Sequence, residues 1–182
     1  GDEYDKDVAN AIRYAVDNGA KVINGSFGKS FSPHSEWVRD AVAYAADKDV
    51  VMVMAAGNDG LDLDLKSSFP SDHITNGEEV SNSFISVGSL DPLYGSKMVS
   101  SFSNYGKSNV DVFAPGGSIY SAFPENDYKS IGGTSMASPG VAGIAAMIRS
   151  QYPSLKASTV KDIILNSGLP LTTKVIVAGD AN

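Results

Sequence analysis

Cysteine is absent from this 182-residue chain. That excludes disulfide stapling, thiolate zinc sites and a cysteine nucleophile, while leaving the redox compartment open. Also missing is any stretch of about 18 apolar residues, so nothing in the sequence reads as a membrane span. Basic runs are lacking too. Lys and Arg number 14 against 21 Asp and Glu, a formal net charge of −7, which argues against nucleic acid and against anionic membrane surfaces as partners. Histidine occurs twice, as His34 and His73. The opening Gly1-Asp2-Glu3-Tyr4-Asp5 is polar and acidic and does not read as a signal peptide. The remaining composition, 42% hydrophobic and 19% charged, is that of one globular domain spanning residues 1–182.

Periodicity predicts alternating helices and strands. Val8, Ile12, Ala15 and Val16 recur at helical spacing and are closed by Gly19. Lys21–Asn24 reads as a short buried strand. A helix starts at Pro33-His34-Ser35-Glu36 and shows the apolar face Trp37, Val38, Ala41, Val42 and Ala45. Asp49–Met54 is a second apolar run, too short for a helix. Such alternation predicts βαβ units and a parallel sheet. Residues 57–81 read as loop, and Phe84–Gly88, Val99–Phe102 and Val110–Ala114 as further strands. Ser118–Lys129 reads as a hairpin or loop. A small-residue helix carrying Val141, Ile144, Ala145 and Ile148 is stopped by Pro153, and a last helix presents Val160, Ile163 and Ile164.

Three segments carry candidate chemistry. In Gly132-Gly133-Thr134-Ser135-Met136-Ala137-Ser138-Pro139, a serine follows a glycine pair at the start of a helix. There its hydroxyl would lie beside unpaired N–H groups and the positive end of the dipole, which suits a nucleophile whose attack creates an oxyanion. Equally, Thr134 or Ser135 could be a plain N-cap. In Val51-Met52-Val53-Met54-Ala55-Ala56-Gly57-Asn58, a strand ends in small residues and an Asn. That amide could donate to an oxyanion or simply form an Asx turn. In Val22-Ile23-Asn24-Gly25-Ser26-Phe27-Gly28, the strand runs out into small residues that could pair with an extended peptide or only make a turn.

Taken together, in this order, these segments resemble the subtilisin-like serine peptidases over about Asp7 to Leu165. Ser100-Ser101-Phe102-Ser103-Asn104-Tyr105-Gly106 and Val112-Phe113-Ala114-Pro115-Gly116 join the resemblance. It implies a three-layer α/β fold with a mostly parallel sheet. It also implies roles: Ser135 as acylating nucleophile, Asn58 in the oxyanion hole, and Ser26, Phe27 and Gly28 as the strand pairing with substrate. Ala55, Ala56 and Gly57 would wall the pocket for the residue before the scissile bond, with Gly133 and Thr134 also against substrate. The implied partner is a polypeptide in extended conformation, and the implied location is extracytoplasmic.

A serine needs a base and a carboxylate that orients it, and in this family Asp and His precede Ser. Neither His34 nor His73 is followed by Gly-Thr, and both are expected at the surface. No Asp sits in an Asp-x-Gly motif of the family type. The chain is therefore expected to be the C-terminal part of a catalytic domain. It would be incomplete at the N-terminal side of its sheet, inactive alone, and partnered by the upstream part of the same domain. An exposed sheet edge would favour self-association. The rival readings are a catalytically dead peptide-binding module and a structural module. No cofactor is expected. Asp59, Asp62 and Asp64 are weak candidates for a structural Ca²⁺, whose ligands are oxygens. Gly25, Met54 and Gly140 depart from the family's usual residues, and Met54 is expected to fill volume vacated at both glycines.

Overall fold

Covering the apolar stripes that the sequence repeats requires layers on both faces of a sheet. The computed structural model describes residues 3–74, 78–170 and 174–177. Its elements are α1 (Asp5–Asp17), β1 (Val22–Gly25), α2 (Ser35–Asp47), β2 (Val51–Ala55), β3 (Phe84–Leu90), β4 (Val112–Pro115), β5 (Ile119–Phe123), β6 (Asp127–Ile131), α3 (Thr134–Gln151) and α4 (Ala157–Ser167). One turn of 3₁₀ helix, Gly95–Lys97, precedes β4. Strands β1 to β4 form a parallel sheet in sequence order, and β5 and β6 form a separate antiparallel pair.

The sheet is the middle of three layers. Alternation along β2 sends Met52 and Met54 toward α1 and α2, where they meet Val8, Ile12, Val38, Val42 and Phe84. Val51 and Val53 face the opposite layer and meet Ile85, Val87, Ala137, Val141, Ala145 and Val160 of β3, α3 and α4. Coverage on both faces explains why Val50–Met54 reads as a continuous apolar run rather than an alternating one.

Both helices on the first face end in a Schellman turn. At α1, Gly19 takes φ +85°; its N–H donates to Val16 O and the Ala20 N–H to Ala15 O. At α2 the left-handed position is held by Asp49, φ +60°, with the Asp49 and Val50 amides donating to Ala46 and Ala45. A non-glycine residue there carries a steric cost of about 1–2 kcal/mol. The Asp49 carboxylate offsets it. It accepts from Arg149 Nη2 at 2.9 Å and from the Ala157 amide at 2.6 Å, tying the end of α3 to the start of α4.

Two expectations need correction. Val99–Phe102 is not a strand. Only Val99 bridges to Leu90, and the chain turns at once as the Ser103 N–H donates to Ser100 O. The volume exchange holds at one glycine of two. Gly25 lies opposite Met54 in the register of β1 and β2, and a Cβ there would collide with the Met54 thioether. Gly140 has open space where a Cβ would go and sits on an exposed flank of α3 beside Gly143, Ile144 and Met147. Met54 has no part in that position.

The Gly25–Met54 exchange predicts coupling. Gly25→Ala should destabilise by about 1–3 kcal/mol through overpacking and Met54→Ala by about 2–5 kcal/mol through a cavity. The double variant should lose less than the sum, as read from denaturant midpoints.

Candidate active site

The C-terminal ends of β1 and β2 converge on the N-terminus of α3. Ligands of open parallel sheets bind at the carboxyl ends of the strands. Gly133 precedes α3 in extended backbone, and neither Thr134 nor Ser135 acts as an N-cap through its side chain. Close approach at this turn depends on glycine. The Gly133 N–H donates to Gly116 O at 2.9 Å, and a Cβ on Gly116 would lie 2.7 Å from Gly133 O and 2.5 Å from Ser89 Oγ.

Ser135 and Ser26 hold each other. The Ser135 hydroxyl donates to Ser26 O at 3.0 Å, and the Ser26 hydroxyl donates to Ser135 O at 2.9 Å. Asn24 Nδ2 in turn donates to Ser26 Oγ at 2.9 Å, and buried Ser138 donates to Asn24 Oδ1 at 2.7 Å. The end of β1 is thus fastened to the first turn and a half of α3.

Asn58 is oriented by Thr134. Its Oδ1 accepts from the Thr134 N–H at 2.9 Å and from the Thr134 hydroxyl at 3.0 Å. Thr134 Oγ1 accepts from the Gly57 N–H at 3.1 Å. With its oxygen occupied, the amide has its nitrogen left to donate. A cleft of about 200 Å³ is lined by Phe27, Gly28, Ala55, Gly57, Asn58, Ser68, Thr134 and Ser135. Ser26 and Gly133 do not line it, though each adjoins a residue that does: Ser26 bonds to Ser135 and Gly133 precedes Thr134. Ala56 does not line it. Its side chain is buried with Leu63 and Val110 and backs onto a second cavity.

One wall of the cleft is anchored by charge. Lys29 and Phe69 exchange backbone hydrogen bonds of 2.9 Å in both directions, placing the Ser26–Gly28 segment beside the cis Phe69–Pro70 bond. Lys29 Nζ meets the buried Asp5 carboxylate at 2.6 Å. Burial pushes the Asp5 carboxyl up, but Lys29, the Ser32 hydroxyl and the His34 amide outweigh it and hold it at about 2.

Neither histidine lines the cleft of Ser135 or accepts from its hydroxyl, which donates to Ser26 O. His34 is half-exposed and stacks on Trp37 with ring centroids 4.1 Å apart. His73, expected at the surface, has a largely buried side chain. Its Nε2 lies 3.5 Å from Asp72 Oδ1, and its Nδ1 has no partner. The acidic trio does not converge. Asp64 accepts from the amides of Lys107, Ser108 and Asn109, which hold its carboxyl below the usual range against the upward push of burial. Asp62 accepts from the Asp64 amide. Among the described residues no three His, Cys, Asp or Glu side chains gather as metal ligands, and no helix is long and apolar enough to cross a membrane.

The match to known proteins covers nearly the whole chain. The profile of the Subtilase family matches residues 1–179. The chain belongs to the subtilase family. It is 41% identical over 156 residues to Subtilisin DY of Bacillus licheniformis, covering 85% of this chain and 52% of that protein. It is 43% identical over 160 residues to Thermitase of Thermoactinomyces vulgaris, covering 88% and 50%. Among solved structures, Sphericase superposes with TM-score 0.80 at 27% identity, covering 98% of this chain and 61% of that one. A cold adapted subtilisin-like serine proteinase gives 0.77 at 29%, covering 98% and 62%. The chain thus spans about half the length of the curated relatives it matches, and its fold is the α/β, mostly parallel architecture of this family.

The supports of this candidate site are not assigned by the sequence. Asn24 and Ser138 lie inside the quoted segments but receive no role there, and the Asp5–Lys29 pair carries no motif. Asn104 lay in a segment noted only for resemblance. The second cavity, about 450 Å³, is lined in part by Arg39, Lys66, Ser86 and His73. Next to His73 sits Asp72, nearly fully buried, with Oδ2 unpartnered. Burial, aided by nearby Glu79, pushes its carboxyl up to about 7.

Between about pH 4 and 7 the folded chain therefore holds a proton that the unfolded chain has released, and stability falls as pH rises through that window. Asp72→Asn should raise the melting temperature at pH 7–8 and change it little near pH 4. An equal shift at both pH values would refute the assignment.

Proposed function

We propose that this chain supplies the nucleophile, oxyanion hole and substrate edge of a serine endopeptidase acting in a longer protein. The observation that carries the reading is the Thr134–Asn58 contact, which occupies the Asn58 amide oxygen and leaves its nitrogen as the group to donate in the cleft that Asn58 and Ser135 both line. Ser135 Oγ attacks the scissile carbonyl carbon, and its proton passes to a His upstream of this chain, oriented by an upstream Asp. Asn58 Nδ2 and the Ser135 backbone N–H receive the oxyanion. The C–N bond breaks as the imidazolium returns the proton to the leaving amine, and water then hydrolyses the acyl ester. The substrate lies extended along Ser26, Phe27 and Gly28, with Ala55, Gly57, Gly133 and Thr134 around the residue before the cut.

The upstream partner has two surfaces to cover. Among the described residues nothing pairs with the outer edge of β1, and the α3 flank at Gly140, Gly143, Ile144 and Met147 is exposed. Expressed alone, the chain associates through that sheet edge. An extracytoplasmic location follows from the family resemblance. A catalytically silent peptide-binding module is the second reading. It is favoured by one observation: the Ser135 hydroxyl donates to a backbone carbonyl rather than to a base.

A fluorophosphonate probe separates the two. The full-length protein should be labelled on Ser135, as located by mass spectrometry, while this chain alone and Ser135→Ala remain unlabelled. Asn58→Ala should lower turnover by about 10²–10³, the figure found for loss of an oxyanion-hole donor in a subtilisin. A folded full-length protein that takes no label would establish the silent module.

A further inference from the structure

Asn58 is exposed and sits on a loop, so its fixed position requires an anchor beneath it. Thr134 orients the amide but does not fix the backbone that follows it. That backbone turns sharply. Gly57 takes φ +105°, and the chain must present Ala56 O, Asp59 N–H and Leu61 N–H inward, where each needs a partner. All three partners are one side chain. Asn104 Oδ1 accepts from the Asp59 N–H at 3.1 Å and the Leu61 N–H at 2.9 Å. Asn104 Nδ2 donates to Ala56 O at 2.8 Å. The Asn104 backbone N–H closes on Gly57 O at 3.0 Å.

From this clasp we infer that Asn104 is a positioning residue for the oxyanion hole, acting through Asn58 and touching neither substrate nor nucleophile. Its side chain grips the loop on both sides of Asn58, and it is fully buried, so it cannot yield to water when the loop is pulled. The residue type is decided by chemistry. The clasp needs an acceptor for two amides and a donor for one carbonyl on a single planar group, which an amide alone provides at this length. A carboxylate keeps the two acceptor contacts but turns a negative oxygen onto Ala56 O. Contact also explains the glycine, since a Cβ on Gly57 would run into the Asn104 amide.

Because the inference rests on the peptidase reading, the test is a double-mutant cycle in the full-length protein. It follows the rate of fluorophosphonate labelling of Ser135. Asn104→Asp should slow labelling about tenfold or more while the circular dichroism spectrum stays native; in an Asn58→Ala background the same change should cost under about twofold. A purely structural role predicts an equal factor in both backgrounds, and that result would overturn the inference alone. Unchanged labelling on Asn58→Ala would overturn both the oxyanion assignment and the inference. A wild-type protein that does not label defeats the peptidase reading itself. If Asn104→Asp does not fold, Asn104→Ser, which keeps one donor and one acceptor, enters the same cycle.

Discussion

Two hydrogen bonds between Ser26 and Ser135 join segments 109 residues apart, and the geometry of the cleft depends on them. Everything upstream of that junction is arranged to bring the end of β1 to the first turn of α3. The parallel sheet lines up the carboxyl ends of β1 and β2. The Asn24–Ser138 contact sets the axial position of α3 along β1. Without this junction the serine would still head a helix, and the asparagine would still follow a strand, but they would not share a cleft.

The support around the cleft is built from polar groups rather than apolar packing. Asn104, Thr134, Ser138, Ser89, Ser100 and Ser103 are all fully buried, and each has a hydrogen-bond partner. A satisfied polar interior is directional, so it fixes angles that methyl groups would leave loose. The apolar clusters do a different job. They hold α1 and α2 on one face and α3 and α4 on the other, and they tolerate exchanges such as the Met54 side chain filling the space above Gly25.

What could be read in the sequence follows from how local each signal is. β2 was legible because burial on both faces demands an uninterrupted apolar run. The termini of α1 and α3 were legible because Gly19 and Gly133 carry turn chemistry in themselves. Val99–Phe102 looked like a strand by residue type, yet the bonding of Ser100 and Ser103 bends it within one residue. The candidate nucleophile and amide stood out as motifs. Their supports did not, because Asn104 meets its partners 43 to 48 residues away and no local pattern encodes that meeting. Met54 and Gly25 were paired correctly because they fall opposite in the sheet, whereas Gly140 lies on a helix flank that Met54 never faces.

The order of the parts along the chain has a bearing on synthesis. Ribosomes deliver the N-terminal side first, so the sheet edge at Ser26–Gly28 and the loop at Asn58 emerge well before the turn at Gly133–Ser135. Sheet strands that pair with their immediate successors, as β1 to β4 do, can zip as they appear. A nascent chain can therefore shape the groove, Ser68 included, before Ser135 is present in it. A product that ends before Gly133 carries the strand edge and the Asn58 loop without the serine that the proposed chemistry requires.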